Sequence, residues 1–208
     1  MNRIEHRESK WIFKFVEYSN IKSDEKLPLI IQLHGAGERG NGEDELIRVD
    51  KYGFSDYIKD RDYPCLFILP QCPADTFWAA RVESIVKFID QLKEEYNIDE
   101  DRVYLTGMSM GGYGTWFTAM ARPDLFAAIV PVCGGGMAWN AETLTMPIWT
   151  FHGSDDPLVS VNQTDEMVNA LREIGADIKY TRIEGGEHDA WNYTFDDELI
   201  SWLLSKKR

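Results

Sequence analysis

The chain has 208 residues, 44% of them hydrophobic and 27% charged, with 16 glycines and 8 prolines. This is the mix of a globular protein with one hydrophobic core; it excludes collagen-like and wholly disordered chains, and the length suits a single domain over 1–208. With 22 Lys and Arg against 35 Asp and Glu, the formal net charge is −13. That sign repels phosphate backbones and anionic bilayers, so neither nucleic acid nor membrane is expected as a partner. No apolar run approaches the roughly 20 residues that cross a bilayer. The opening MNRIEHRESK lacks the apolar stretch of a secretion signal, and a cytoplasmic location is expected unless a leader has been removed. Cys65, Cys72 and Cys133 are odd in number and show no CxxC spacing, which argues against a disulfide framework or a zinc site and for reduced, partly buried thiols.

No internal repeat or low-complexity linker interrupts the chain. Lys10 to Tyr18 alternates like a half-buried edge strand. Leu29 to Leu33, Cys65 to Leu69, Val103 to Leu105, Ala127 to Val132 and Ile148 to Phe151 are short apolar runs, suited to parallel strands covered on both faces. Between them, Val82, Ile85, Val86, Ile89, Leu92 and Tyr96 recur at helical spacing, as do Val161, Met167, Val168, Leu171 and Ile174 ahead of Gly175. Alternating strand and helix predicts a mostly parallel sheet with helices on both faces, its reactive groups on loops leaving the carboxyl ends of the strands.

Immediately after the Val103 strand stands Gly107-Met108-Ser109-Met110-Gly111, followed by a helix-compatible stretch that ends at Pro123. A serine between strand and helix takes a strained backbone, and only glycine beside it lets the two elements approach; this G-x-S-x-G context marks Ser109 as a nucleophile. A glycine-rich helix entry that merely packs tightly or binds phosphate is the plainer alternative. A serine hydroxyl needs a neighbouring base, and there are four histidines. His6 lies in a charged N-terminal segment and reads as a surface residue, while His34 and His152 precede glycines at strand ends, where either could line a site. His188, in EGGEHDAW after the alternating run Ile178 to Ile183, sits in the glycine-rich loop following the last strand and is the expected base. An imidazole that takes a proton needs a carboxylate at its other nitrogen. Asp156 in HGSDDPLV is preferred, with the adjacent Asp155 as its rival and Asp189 as a solvated neighbour of the base. The chain order Ser109, Asp156, His188 is that of the α/β-hydrolase triad.

Cleavage of an acyl bond puts negative charge on the former carbonyl oxygen, which calls for two fixed N–H donors. Met110 N–H is one. The loop His34-Gly35-Ala36-Gly37-Glu38-Arg39-Gly40 offers the other, from Ala36 with Gly37 close by; a tight turn without function is the plainer alternative for this segment. Glu38 and Arg39 are expected to pair and hold that loop. Only a short segment joins the Val132 strand to the Ile148 strand, too little for a large helical cap, so the site is expected to be open. Gly37, Trp78, Trp139 and Trp191 are its candidate substrate-binding residues, with core packing the competing role for each tryptophan. Trp202 to Leu204 read as a docked terminal helix, and Lys206 to Arg208 as a solvated end.

These segments carry a resemblance. LHGAGERG, LPQCP, GMSMGGYGTW, PVCGGG, PIWTFHGSDD and GGEHDAW are similar to the α/β-hydrolase-fold carboxylesterases of the predicted peptidase and phospholipase/carboxylesterase group, related to feruloyl and acetylxylan esterases. The resemblance covers most of the chain from residue 29. It implies a three-layer α/β-hydrolase fold without a large cap domain and a Ser109–Asp156–His188 triad. It also implies an ester hydrolase acting without metal or cofactor through an acyl-enzyme, on short-chain or aromatic acyl esters. HGSDDPLVS departs from the VP that often follows the acid in such proteins, which leaves Asp155 in play. Peptide cleavage and cell-wall deacylation are the alternative activities, and a non-catalytic binding protein on the same scaffold is the remote one.

Overall fold

The computed structural model describes residues 1–20 and 25–208. Among the described residues, eight strands form one sheet in the order β1-β2-β4-β3-β5-β6-β7-β8. β3 (Leu27–Leu33), β4 (Leu66–Pro70), β5 (Ile98–Met108), β6 (Ala128–Val132), β7 (Ile148–Gly153) and β8 (Ile178–Ile183) are mutually parallel, whereas β1 (Asn2–His6) and β2 (Phe15–Ser19) run antiparallel at one edge. No helix among the described residues is long and apolar enough to cross a membrane.

The period of two along each strand divides the core between the two faces. Leu29, Ile31 and Leu33 of β3 point to one side, into a core cluster that also holds Phe88 and Leu92 of α2 (Val82–Glu95), Trp116 of α3 (Met110–Ala121) and Leu171 of α4 (Asn162–Glu173). Ile30 points to the other, into a cluster with Phe54 of α1 (Phe54–Ile58) and Leu199 and Leu203 of α5 (Asp197–Leu204). Both faces are thus covered, which is why the inner parallel strands carry the short apolar runs at Leu29, Cys65, Val103, Ala127 and Ile148, while the outer strand β8 alternates. Local chemistry sets several boundaries. Gly175 takes a left-handed φ of 72° just past α4, and the Asp196 carboxylate accepts the Leu199 N–H at 2.8 Å to start α5.

Two expectations need correction. The segment from Lys10 to Tyr18 is not an edge strand: the ladder begins only at Phe15, every residue of β2 is buried, and the edge is taken by polar β1. Trp11 and Phe13 alternate because they pack on Phe88, which gives the period without the hydrogen bonds. His6 is no free surface residue, since its ring stacks on Phe15 at 4.2 Å and its Nε2 lies 2.7 Å from Glu17 Oε2. The C-terminal end is exposed at Lys207 and Arg208, and its backbone is tied down, with the Tyr104 hydroxyl donating to the Lys206 carbonyl and Arg208 N–H to the Asp101 carbonyl. All three cysteines are free and buried.

Candidate active site

Ser109 stands between β5 and α3 with φ 56° and ψ −118°. A non-glycine residue there is strained, and the surroundings must hold it. They do so through glycines. A β-carbon on Gly107 would lie 2.3 Å from the Gly111 carbonyl oxygen, and one on Gly111 would lie 1.9 Å from that of Leu33. The Ser109 N–H is fixed by the Val132 carbonyl at 2.9 Å. The spacing of glycines about the serine is therefore a packing requirement of strand, turn and helix.

From Ser109 a series of hydrogen bonds crosses three loops. The Ser109 hydroxyl lies 2.8 Å from His188 Nε2, and His188 Nδ1 lies 2.7 Å from Asp156 Oδ2. Asp156 Oδ1 accepts the N–H groups of Leu158 and Val159 at 2.8 and 2.9 Å. Burial works to raise the pKa of this carboxyl, but those backbone donors and the His188 contact prevail and hold it below its ordinary value. Asp155 is exposed and accepts the Ser154 hydroxyl instead, so the carboxylate at the imidazole is that of Asp156. Asp189 accepts from Asn192.

His34 and His152 do not open onto the site; each is almost fully buried and supports a loop. Cys72 N–H donates to His34 Nε2 at 2.9 Å and His34 Nδ1 donates to the Gly35 carbonyl at 2.6 Å, the pattern of a neutral ring. Burial accordingly lowers its pKa to about 4. His152 Nε2 donates to the Val159 carbonyl at 2.9 Å and lies 3.3 Å from Asp156 Oδ2, behind the acid loop. Cys133, with φ 40° just after β6, closes the cluster from beneath; burial keeps its thiol protonated, with a pKa of about 12.

The loop after β3 lies against the serine, since a β-carbon on Gly35 would come within 3.8 Å of Ser109 Cβ. Ala36 opens a short 3₁₀ turn, Ala36–Glu38, and Met110 is the first residue of α3. First-turn N–H groups lack intrahelical acceptors and remain free for a ligand. Arg39 does not pair with Glu38. Its guanidinium donates to the carbonyls of Ala36 and Thr76 and so braces the loop through backbone.

A groove of about 310 Å³ opens at Ser109 and His188, with Gly37, Glu38, Leu158 and Trp191 among its walls. Trp191 meets the His188 ring edge-on at 5.4 Å. Trp78 is not a substrate contact: it is fully buried, and its indole N–H donates to the His34 carbonyl at 3.0 Å, supporting the loop from the core side. Trp139 is 79% exposed on the short segment between β6 and β7 and lines no part of the groove. The sequence reading missed Glu38, Tyr52, Leu158 and Val159 as walls. Leu158 and Val159 had a signal, because they directly follow Asp156 and travel with it; Tyr52 had none. A second apolar hollow on the other side of Ser109 is lined by Phe77, Ala79, Met110 and Tyr113.

Sheet order, strained serine and loop placement together decide the fold. It is the α/β-hydrolase fold. Residues 79–137, which hold the serine turn, match the prolyl oligopeptidase family. A thermostable esterase of known structure is 33% identical with a TM-score of 0.82, matching 100% of this chain and 63% of its own. A Staphylococcus aureus fluorophosphonate-binding serine hydrolase superposes at a TM-score of 0.74 over 98% of both chains, at 15% identity. Among curated proteins, a bifunctional acetylxylan esterase/xylanase of Neocallimastix patriciarum is 35% identical over 101 residues, 48% of this chain and 14% of its own. The α/β-hydrolase chain described here thus spans only a small part of that relative's length, and its relatives and structural neighbours include esterases and serine hydrolases.

Proposed function

We propose that the protein hydrolyses carboxylic esters through an acyl-enzyme on Ser109. The observation that carries this reading is the unbroken series from Ser109 Oγ through His188 to Asp156, 2.8 and 2.7 Å per link, at the floor of an open groove. As Ser109 Oγ attacks the acyl carbon, His188 Nε2 takes its proton, and Asp156 keeps the Nδ1–H side of the ring turned away from the serine and stabilises the imidazolium. Negative charge forming on the carbonyl oxygen faces the free N–H groups of Ala36 and Met110. His188 then returns the proton to the departing alcohol, forms a base again, and activates water to release the acid and restore Ser109. The groove volume and its Leu158, Val159 and Trp191 walls suit short or aromatic acyl groups, and acetyl esters head the candidates because a relative is named for acetylxylan.

A fluorophosphonate probe that labels Ser109 in the wild type and not in Ser109→Ala is the expected result, and absence of labelling in folded protein refutes the reading. Peptide cleavage is the second reading, favoured by the match of the serine turn to the prolyl oligopeptidase family. Parallel assays with nitrophenyl acetate, methyl ferulate and a peptide anilide separate the two. Turnover of the anilide with no turnover of either ester would assign the chain to peptides.

A further inference from the structure

Beside the groove lies a second cavity of about 270 Å³ that shares Tyr52 and Trp191 with it as common walls. Its character is opposite. Where the groove has Leu158 and Val159, this cavity has Lys51 and Arg61. The Lys51 ammonium lies over the Tyr52 ring at 5.1 Å and the Arg61 guanidinium over the Tyr57 ring at 3.8 Å. Neither cation has a carboxylate partner among the described residues, although acidic side chains outnumber basic ones 35 to 22. Asp56, the acidic residue in the same wall, is paired with Lys59 at 2.5 Å, and Asp197 nearby accepts the hydroxyls of Tyr57 and Tyr63. Two cations without an ion-pair partner among the described residues therefore border one hollow of an otherwise acidic protein, Arg61 also donating to the Tyr57 carbonyl at 2.6 Å and acting electrostatically on Asp197.

We propose that this cavity is a subsite for a carboxylate carried by the ester substrate, on a spacer that leaves the groove between Tyr52 and Trp191. The proposal rests on the ester-hydrolase reading above and adds the substrate class. Several observations favour this place and this ligand. Glu38 sits in the groove wall, so an anion is disfavoured there and favoured one cavity further on. Burial raises the Glu38 pKa overall and the Lys51 charge opposes that rise, while Tyr52, next to Lys51 in the chain, lines groove and cavity alike. The aromatic rims give an apolar or ring-shaped spacer surfaces to lie on. The overall charge of −13 repels polyanions and leaves a single carboxylate as the tolerable anion.

The test is a set of matched pairs. One series is the 4-nitrophenyl monoesters of glutaric to suberic acid, each against its terminal carboxamide; the other pair is 4-acetoxybenzoate against 4-acetoxybenzamide. The first carries the anion on the acyl side and the second on the alcohol side, so the responding series shows which part of the substrate lies in the groove. An exposed charge pair is worth about 0.2 to 1 kcal/mol, or about 1.4- to 5-fold. For two cations, the ratio of kcat/KM for anionic over neutral substrate is expected to exceed one in the wild type and to fall about 2- to 25-fold in Lys51→Gln/Arg61→Gln. Added salt should erode the wild-type ratio and not lower the variant's, in which only repulsion is left to screen. A ratio that the double variant leaves unmoved in both series overturns the subsite while the ester-hydrolase reading stands. No turnover of any member together with no fluorophosphonate labelling of Ser109 overturns that reading and the subsite with it. Where Ser109 labels and no member turns over, protection from labelling by 4-hydroxybenzoate over 4-hydroxybenzamide, lost in the double variant, supports the subsite; equal protection overturns it.

Discussion

Replacing Asp156 by asparagine removes one charge and sets two hydrogen-bond requirements against each other. The carboxylate accepts on both sides: Oδ1 takes the N–H groups of Leu158 and Val159, and Oδ2 faces His188 Nδ1 at 2.7 Å. Asparagine can accept on one side only. If its oxygen stays on the two backbone donors, its NH₂ faces His188 Nδ1 and selects the tautomer with the proton on Nε2, which cannot take the Ser109 proton. If the amide flips, His188 keeps its productive tautomer, but the N–H groups of exposed Leu158 and half-buried Val159 then face another donor. Losing each of these bonds costs about 0.5 to 1.5 kcal/mol, so the unproductive orientation is favoured by about 1 to 3 kcal/mol. The productive fraction is then roughly one in 5 to one in 160. His152 Nε2, 3.3 Å from Oδ2, already donates to the Val159 carbonyl at 2.9 Å and shifts this balance little. Turnover of 4-nitrophenyl acetate at saturating substrate is the assay, with kcat expected to fall within that range while fluorophosphonate still reaches Ser109 slowly. A kcat within threefold of wild type, or a larger loss for Asp155→Asn than for Asp156→Asn, would refute the reasoning.

Ser109→Ala and His188→Ala should each remove most turnover, by roughly 10⁴- to 10⁶-fold, and the double variant should be scarcely worse, because the groups act as a unit; additive losses in kcat would contradict the shared mechanism. Gly111→Ala forces a methyl to within 1.9 Å of the Leu33 carbonyl oxygen, so α3 must shift. A loss of about 1 to 3 kcal/mol, or about 3 to 10 °C in Tm, is expected by calorimetry, whereas Gly37→Ala, with nothing within 4 Å, should leave Tm unchanged. Acid stability should depend on His34, whose pKa falls from 6.5 unfolded to about 4 folded. A group with a lowered folded pKa contributes stability above its unfolded pKa and loses it as pH falls toward the folded one. About 2 to 3 kcal/mol should therefore disappear between pH 7 and 4.5. Urea titrations at the two pH values should show that gap narrowing in His34→Gln, and an unchanged gap would show that His34 is not buried neutral.

The parts of the molecule legible in its sequence share a physical cause. β3 to β7 are covered on both faces, so their runs are apolar throughout and stand out without any alignment. β1 has the sequence Asn-Arg-Ile-Glu-His, with no residue fully buried, and an exposed edge strand with that composition leaves no periodic trace. The alternation of Trp11, Phe13 and Phe15 is real as burial, but burial and ladder hydrogen bonding part company at Lys14, and pattern reports only the first. Trp78 and Trp139 failed as candidates for opposite reasons. One was drawn wholly into the core by its bond to the His34 carbonyl and the other was left in solvent, and nothing in the neighbouring residues distinguishes those fates.

The same contrast separates the two cavities. Around Ser109 the constraint is backbone against backbone: Gly107 on Gly111, Gly111 on Leu33, and Gly112 on Val132, whose carbonyl oxygen a β-carbon would approach to 2.4 Å. Such contacts admit one residue type, so they mark the sequence locally, and His188 and Asp156 then follow from chain order. The cavity of Lys51 and Arg61 is assembled from side chains of the segment 51–61 and of the turn at 191–195. Only Gly53, at φ 80°, is dictated by its backbone there, and the two cations border a hollow only because α1 and the turn after His188 lie on the same side of the sheet. Chemistry imposed on the backbone is therefore readable before folding, while the part of a site that would choose among substrates is carried by exposed side chains and becomes visible only once distant segments are brought together.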